Sequence, residues 1–251
     1  MVKRILISMI FLFLCGFLAV SVSAAEEKGK NLMINGNCED PENPWKYWTY
    51  DYTPGQNGNY ANNTKYVTML PQFNSKKNVI RMIINEDKGY QGQPLWWTGV
   101  QVDSPLIPFE QGCRYRFSIY VQGTAPYHAY PIGYQFKPGL APYENPSLFD
   151  MQKRWKGSWN TIDDKGVNPK SWTRIHRDFP EPKLSNNGMR IIKTVRYMSF
   201  HFIGITGQGE LYIKDLHVEK LPGGYTGGKI NADDNESEQT PRKPAAGKTS
   251  K

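Results

Sequence analysis

The sequence shows no helical period longer than a couple of turns, and it lacks the short motifs that mark common enzyme classes. It contains no Gly-x-Ser-x-Gly, no His-Glu-x-x-His and no cysteine and histidine set within a recognised motif. Carboxylates stand mainly in turns and at strand ends, as in Glu86-Asp87 and Asp163-Asp164. A glycoside hydrolase would instead need two carboxylates facing each other across a cleft. We therefore expect a protein that is not an enzyme.

A concentrated basic surface is also lacking. The formal net charge is +8, but the lysines and arginines occur singly among acidic and aromatic residues. Proteins that bind nucleic acid normally collect their basic residues along one face. We expect no nucleic-acid partner.

The first residues resemble an export signal rather than part of a fold. Lys3 and Arg4 precede an apolar run, residues 5–20, which is followed by the small residues Ser23, Ala24 and Ala25. This arrangement predicts a signal peptide over residues 1–24 and a secreted or extracytoplasmic protein, in the periplasm or at the cell surface. The alternative is an uncleaved membrane anchor, for which the run is short. After cleavage no membrane span is expected.

Cysteine is scarce, with three in the chain. Cleavage would leave Cys38 and Cys113 in an environment that permits oxidation. One disulfide between them is expected, with two free thiols as the alternative.

The composition predicts one folded domain over residues 30–221. From residue 222 onward the chain has almost no apolar content and mixes Gly, Pro, Ser and charges. Such a segment cannot offset the entropy of ordering, so residues 222–251 are predicted to be a disordered polar tail.

Within the domain, period-two runs of aromatic and β-branched residues alternate with Gly, Pro and Asn clusters, as in an all-β sandwich. In "CRYRFSIYVQG", residues 113–123, every second side chain from Tyr115 to Val121 is predicted to face the core. "VRYMSFHFIG" repeats the pattern, and "ELYIKDLHVEKL" repeats it with a break at Asp215. Residues 138–170 break it and predict a long loop, with one short helix around Leu148 to Trp155. Trp155 and Trp159 could extend a binding groove or cover the sandwich edge.

The motifs "NLMINGNCED", "WWTGVQVDSPLIPFEQGCRYRFSIYVQG", "SWTRIHRDFP" and "LYIKDLHVEKL" follow one another in an order that resembles a known family. They are similar to carbohydrate-binding modules with a galactose-binding-domain-like β-sandwich, the type that includes xylan- and glucan-binding modules. The resemblance spans most of residues 31–220 and implies a jelly roll of two antiparallel sheets. Cys38 stands where the family has Phe, and Lys214 where it has Asp.

The resemblance also implies a structural calcium ion where the first and last strands meet. The matching oxygen donors are Asn37, Glu39 and Asp215. Alternatively, Glu39 and Asp215 are solvated residues at strand ends, and Lys214 lowers the local negative charge.

For the sugar, the resemblance implies a stacking platform at Trp97, which core packing explains equally well. Strand parity turns further polar groups away from the core, and if their strands are neighbours they share one sheet face. An ordinary solvated face is the alternative. The candidate ligand-binding residues are Trp97, Arg116, Tyr120, Tyr134, Tyr197 and His201.

We therefore expect an exported, non-catalytic protein whose partner is a polysaccharide or an oligosaccharide. The alternatives are a glycoside hydrolase or other polysaccharide-active enzyme on a β-sandwich, and a structural or adhesive surface protein.

Overall fold

The computed structural model describes residues 30–56, 62–72, 77–85, 99–156, 170–205 and 208–227. The predicted signal peptide, Trp97, Trp159 and residues 228–251 of the predicted tail lie outside these ranges. The chain divides into the units Met1–Lys30 and Asn31–Lys251, and every element named below belongs to the second unit. None of the helices in the described ranges is long and apolar enough to cross a membrane.

Strands dominate the described part of the chain. In chain order they are β1 (Val67–Pro71), β2 (Asn78–Ile84), β3 (Gly99–Asp103), β4 (Ile107–Pro108), β5 (Cys113–Gly123), β6 (Tyr127–Phe136), β7 (Met151–Lys156), β8 (Thr173–Phe179), β9 (Lys183–Leu184), β10 (Tyr197–Ile205), β11 (Gly209–Gly224) and β12 (Thr226–Gly227). The helix α1 spans Asn186–Ile192, and Ser185 caps it by accepting a hydrogen bond from Gly188 N at 2.9 Å.

Two antiparallel sheets form the sandwich. The five-stranded sheet has the order β1-β2-β11-β5-β8, and the four-stranded sheet has the order β3-β10-β6-β7, with β4 also paired to β10. The parallel pair of β9 and β12 stands apart from both. β11 holds the centre of the larger sheet, where it pairs with β2 on one side and β5 on the other. The predicted all-β sandwich is confirmed.

The core between the sheets follows the alternation along β5. Tyr115, Phe117, Ile119 and Val121 are all buried, and the ring of Phe117 stacks on that of Phe200 across the sandwich, 5.6 Å between centroids. On β11 the same face carries Leu211 and Ile213 before the strand bulges at Asp215, whose φ is +53°. The bulge shifts the alternation by one residue, so Leu216 and Val218 return to the core.

The four-stranded sheet differs, because it is covered on both faces. All five residues of β3 are buried, and every residue of β10 after Tyr197 is buried. A second apolar cluster, with Tyr52, Ile132, Tyr134, Leu148 and Met151 at its centre, lies on the face turned away from the core. Loop segments close over this sheet.

Two predicted boundaries are wrong. The expected helix around Leu148 to Trp155 is a single 3-10 turn, Leu148–Asp150, followed by β7, which hydrogen-bonds to β6. The predicted end of the domain at residue 221 falls inside β11. Tyr225 lies beyond it and packs on Phe109, and its hydroxyl accepts a hydrogen bond from Gly112 N at 3.1 Å. The glycine-rich composition of this segment predicted disorder, whereas tertiary contacts of Tyr225 order it.

Candidate functional site

A cleft of about 620 Å³ opens beside the four-stranded sheet. Its volume lies within the range typical of small-molecule sites. We call residues 47–51 the first wall and residues 144–149 the second wall; residues 104–108 and Tyr197 also line the cleft. The lining residues are Ile34, Tyr47, Trp48, Thr49, Asp51, Ser104, Pro105, Leu106, Pro108, Glu144, Asn145, Pro146, Ser147, Leu148, Phe149 and Tyr197.

The first wall is anchored by Asn35, which itself adopts a left-handed backbone conformation with φ +53°. Its amide group donates to the carbonyls of Pro44 and Lys46, at 2.9 and 3.1 Å. Its side-chain oxygen accepts from the backbone N–H groups of Glu39 and Asp40, at 2.8 and 3.0 Å. One side chain therefore joins both ends of a loop that leads into Tyr47.

The tryptophan after Tyr47 completes this anchor. Trp48 is buried, and its Nε1 donates to the carbonyl of Asn35 at 3.0 Å. Tyr47 has a φ of +69°, an uncommon conformation for a bulky residue, and its side chain stays 53% exposed. The loop thus holds an aromatic ring outward at the cleft rim, where hydrophobic burial alone would not place it.

The second wall is braced by Asp150. Its carboxylate accepts hydrogen bonds from Ser147 N at 2.9 Å, from Ser147 Oγ at 2.6 Å and from the hydroxyl of Tyr143. Hydrogen bonds from Ser147, followed by that from Tyr143, hold the pKa of Asp150 below its usual value of 3.8. The wall carries Phe149, 40% exposed, whose ring meets the buried Tyr52 edge-on at 6.1 Å between centroids.

Behind the cleft lies a buried polar network. Asp103 on β3 is 1% exposed; its Oδ1 lies 3.0 Å from Nδ1 of His201, and its Oδ2 accepts from the hydroxyl of Tyr52 at 2.6 Å. Thr49, which lines the cleft, forms an antiparallel bridge with Asp103. The network therefore fixes the inner end of the first wall against the sheet.

Neighbouring titratable groups respond to this environment. Tyr130 lies in register with His201, and the two rings are 5.0 Å apart between centroids. Burial raises the pKa of the Tyr130 and Tyr134 hydroxyls, and the negative charge of Asp103 raises both further. Burial also lowers the pKa of Lys153, which the same charge partly counteracts. None of these three side chains lines the cleft.

The residues expected to form one binding face lie on two sheets. Arg116 and Tyr120 belong to β5 in the five-stranded sheet, whereas Tyr197 and His201 belong to β10 in the four-stranded sheet. The shared face predicted for these four residues is therefore wrong. Arg116 is also engaged, because its Nε and Nη2 donate to Asp178 at 2.7 and 3.0 Å.

Of the predicted ligand residues that the structure describes, only Tyr197 lines the cleft. Tyr134 and His201 share its sheet face but are buried, at 4% exposure each. Trp97 lies outside the described residues, so its stacking role stays a prediction. Trp155 packs against α1, since its ring lies where a Cβ on Gly188 would be. This contact agrees with the edge-covering alternative.

The expected calcium ligands do not form a fitting donor set. Asp215 pairs with the Lys77 ammonium at 3.2 Å, and the Asn37 carbonyl accepts from Asn78 N at 3.1 Å. The side chain of Asn37 meets Glu39 at 3.4 Å. The Lys77 ammonium thus neutralises the Asp215 carboxylate, which a calcium ion would otherwise do. Across the described ranges, no group of three or more His, Cys, Asp or Glu residues could hold a metal ion.

The predicted disulfide is also wrong, since Cys38 and Cys113 are both free. The Cys38 carbonyl accepts from the side chain of Asn78, at the start of β2, while Cys113 pairs with Gly224 near the far end of β11. Long strands separate the two thiols, so backbone geometry prevents a bond. Burial, followed by the charge of Glu39, raises the pKa of the Cys38 thiol to about 12.

Sequence reasoning missed Tyr47, Phe149, Asp51 and Glu144. Tyr47 and Asp51 lie in "WKYWTYDY", whose density of aromatic residues exceeds what one short strand can bury. The other two lie in the long loop, whose length alone indicated a functional role. Both signals were visible, but neither shows that the segments meet across one cleft.

No protein-family model matches the sequence, and no curated protein does. Solved structures resemble it weakly. The enzymatically active domain of tailspike protein 4 from bacteriophage CBA120 has a TM-score of 0.43 and 12% identity over 76% of this chain, which spans 21% of that chain. TmCBM61 in complex with β-1,4-galactotriose has a TM-score of 0.39 and 9% identity, over 76% of this chain and 99% of its own.

A cyclase from Fischerella sp. TAU has a TM-score of 0.38 and 12% identity, with 76% of this chain and 96% of its own chain covered. The chain therefore spans about a fifth of the tailspike structure and nearly all of the other two. All three TM-scores lie below 0.5, so the similarity indicates neither a family nor a function for this chain.

Proposed function

We propose that this protein is an exported carbohydrate-binding protein, that it holds a polysaccharide or oligosaccharide chain in the cleft, and that it catalyses no reaction on it. The observation that carries the proposal is a pair of exposed aromatic rings, Tyr47 and Phe149, that line one mostly apolar cleft together with a few hydrogen-bonding groups.

The exposed rings are concentrated at the cleft. Within the described ranges, the large hydrophobic side chains that remain exposed are Leu32, Ile34, Tyr47, Leu140, Tyr143 and Phe149. Three of these line the cleft, and Tyr143 precedes Glu144 on the same wall. A clustered exposed apolar surface of this kind marks a binding site rather than random surface composition. The apolar face of a pyranose ring is a suitable partner for such rings.

Polar groups in the same cleft suit sugar hydroxyls. Asp51 and Glu144 supply carboxylate acceptors, and Asn145 supplies an amide that both donates and accepts. The Ser147 hydroxyl donates to Asp150, and its oxygen can still accept a hydrogen bond. A few such groups in a mostly apolar cleft orient a ligand and set its specificity.

A glycoside hydrolase is the second candidate, because two carboxylates, Asp51 and Glu144, line one cleft. The general acid of such an enzyme normally stands in an apolar pocket that raises its pKa. Both Asp51 and Glu144 instead lie on exposed parts of the rim. We therefore favour binding without hydrolysis.

The test is calorimetric binding of the purified protein to plant, algal and microbial polysaccharides, with Tyr47→Ala and Phe149→Ala in parallel. Tyr120→Ala is the matched control, because it removes a half-buried tyrosine from the other sheet. Both cleft variants should bind at least about tenfold more weakly, a loss of about 1.4 kcal/mol or more, and the control should bind as wild type. Wild-type protein that binds no glycan, or cleft variants that bind normally, would contradict the proposal.

Two further measurements separate the alternatives. Release of reducing ends by wild-type protein, abolished in Asp51→Asn or Glu144→Gln, would show a hydrolase. Trp97→Ala tests the remaining platform prediction in the same binding assay. If Trp97→Ala alone lost binding while both cleft variants kept it, the ligand would lie elsewhere.

A further inference from the structure

The cleft carries a charge opposite to that of the whole protein. The chain has a formal net charge of +8, yet the only charged residues among the described residues that line the cleft are Asp51 and Glu144. No lysine, arginine or histidine is among them. A binding cleft that simply sampled the surface of a basic protein would be expected to include cations.

The cation beside the rim is already balanced. The Lys46 ammonium lies 5.7 Å from the centroid of the Tyr47 ring, and it is ion-paired with Asp40 at 2.9 Å. Hydrogen bonding to Asp40 raises the pKa of Lys46, which keeps the ammonium in this pair. Lys46 therefore neutralises Asp40, and no ion pair within the described ranges involves Asp51 or Glu144.

Carboxylates at these positions act differently on different sugars. They accept hydrogen bonds from neutral hydroxyls and attract protonated amino groups. They repel uronate or sulfate groups, which would also lose hydration inside the cleft without gaining a cationic partner. Asp51 and Glu144 line the same cleft, and salt screens a charge only in part when it lies within a Debye length of the bound group.

We propose that the cleft selects glycans without acidic groups, whether neutral or amino-bearing, and rejects uronate-rich and sulfated chains. This inference rests on the proposed function, since it names the ligand class of the same cleft. It further implies that the overall positive charge of the protein serves something other than ligand recognition.

The experiment compares matched chains in calorimetry at low salt. The probes are β-1,4-galactan and a soluble mixed-linkage β-glucan, each beside its derivative oxidised to the uronate at C6, together with xylan, chitosan and polygalacturonate. At least one neutral or amino-bearing chain should bind, and its acidic counterpart should bind at least about tenfold more weakly. Raising the salt from about 20 mM to about 500 mM should narrow this ratio.

Variants assign the discrimination to the cleft. Asp51→Asn with Glu144→Gln keeps the size of both side chains and removes both charges, so the ratio of neutral to acidic binding should fall to about threefold or less. Asp178→Asn on the other sheet is the control and should leave the ratio unchanged. An unchanged ratio in the double variant would overturn the inference.

The outcomes separate the two proposals. If an acidic chain binds as well as its neutral counterpart, and Tyr47→Ala abolishes both interactions, the ligand class is wrong but the carbohydrate cleft stands. If none of the probes binds, the proposed function fails, and the inference fails with it.

Discussion

The five-stranded sheet turns its second face to solvent, whereas the four-stranded sheet has both faces covered. On the first, side chains that point away from the core are matched in pairs, such as Arg116 with Asp178 and Arg81 with Glu210. On the second, the equivalent positions hold Asp103 and His201, which form a buried network with Tyr52 from the neighbouring loop. The same strand alternation thus produces an ion-paired, solvated face on the five-stranded sheet and a buried polar network beside the cleft on the four-stranded sheet.

The difference shows why residue type alone did not locate the site. Arginine and tyrosine on an outward strand position are equally compatible with a ligand and with a neighbour on the next strand. Where a cross-strand partner is already present, as for Arg116, the position is structural. Where loops close over the strands, the candidate binding surface lies on the loops themselves.

The largest effect is expected when a buried carboxylate of the four-stranded sheet is removed, compared with a partly exposed carboxylate of the five-stranded sheet. Asp103→Ala removes the acceptor that the Tyr52 hydroxyl shares with the His201 ring inside the protein, so we expect unfolding to require about 2–4 kcal/mol less free energy. Asp178→Ala breaks pairs that solvent screens and should cost about 1 kcal/mol or less. Urea denaturation measures both. Equal losses of unfolding free energy would show that a carboxylate on the covered face contributes no more to stability than one on the solvated face.

A smaller effect is expected from the rings. Tyr47→Ala should weaken binding of the best glycan by about 1.5 kcal/mol, close to the contribution of one aromatic stacking contact. Tyr47→Phe keeps the ring and should bind within about threefold of wild type. If Tyr47→Phe and Tyr47→Ala weakened glycan binding equally, the phenol hydroxyl rather than the ring face would make the contact.

Strong acid is expected to destabilise the second wall. Because hydrogen bonds lower the pKa of Asp150, its contribution to loop stability is present above the unfolded pKa of about 3.8 and is lost as pH falls through the lower folded value. Binding of a neutral glycan should therefore weaken at strongly acidic pH.

Asp150→Asn isolates this carboxylate, because the residues that line the cleft are the same in both proteins. The variant should bind more weakly at neutral pH and show a shallower decline in acid. Identical pH profiles for variant and wild type would mean that the loop does not depend on Asp150.

The smallest effect is expected for a chelator. Lys77 already balances Asp215, so removing calcium should leave the melting temperature within about 1 °C of its original value. A larger fall in the melting temperature, reversed by added calcium, would show that the protein binds the ion that the family resemblance implies. It would also show that Lys77 moves away to admit the ion.

Strand identity and core direction were predictable for β5, β10 and β11, because side-chain direction along a strand is a local property with a period of two. The alternation also located the bulge at Asp215. The extension of β11 to Gly224 was not predictable, since Pro222 and two glycines carry no strand signal. Order there depends on the packing of Tyr225 against Phe109, a contact between residues remote in sequence.

For the site, the sequence indicated aromatic and polar residues but not their grouping. Tyr197 was correctly expected to face away from the core, yet its neighbours across the cleft come from residues 47–51 and 144–149. Arg116 and Tyr120 were grouped with it because both strands alternate alike, and alternation does not state which strands pair. The disulfide prediction failed for the same reason, since two cysteines carry no information on distance.

By itself the sequence determined an all-β chain with an aromatic core and a set of outward polar positions. These are consequences of side-chain chemistry over a few neighbouring residues. Only the tertiary structure decided which face stays open. Asp103 and His201, 98 residues apart, meet because β3 and β10 pair, and their meeting fixes the wall that presents Tyr47. Long-range pairing is a property of the whole free energy of folding, which no short stretch of sequence specifies.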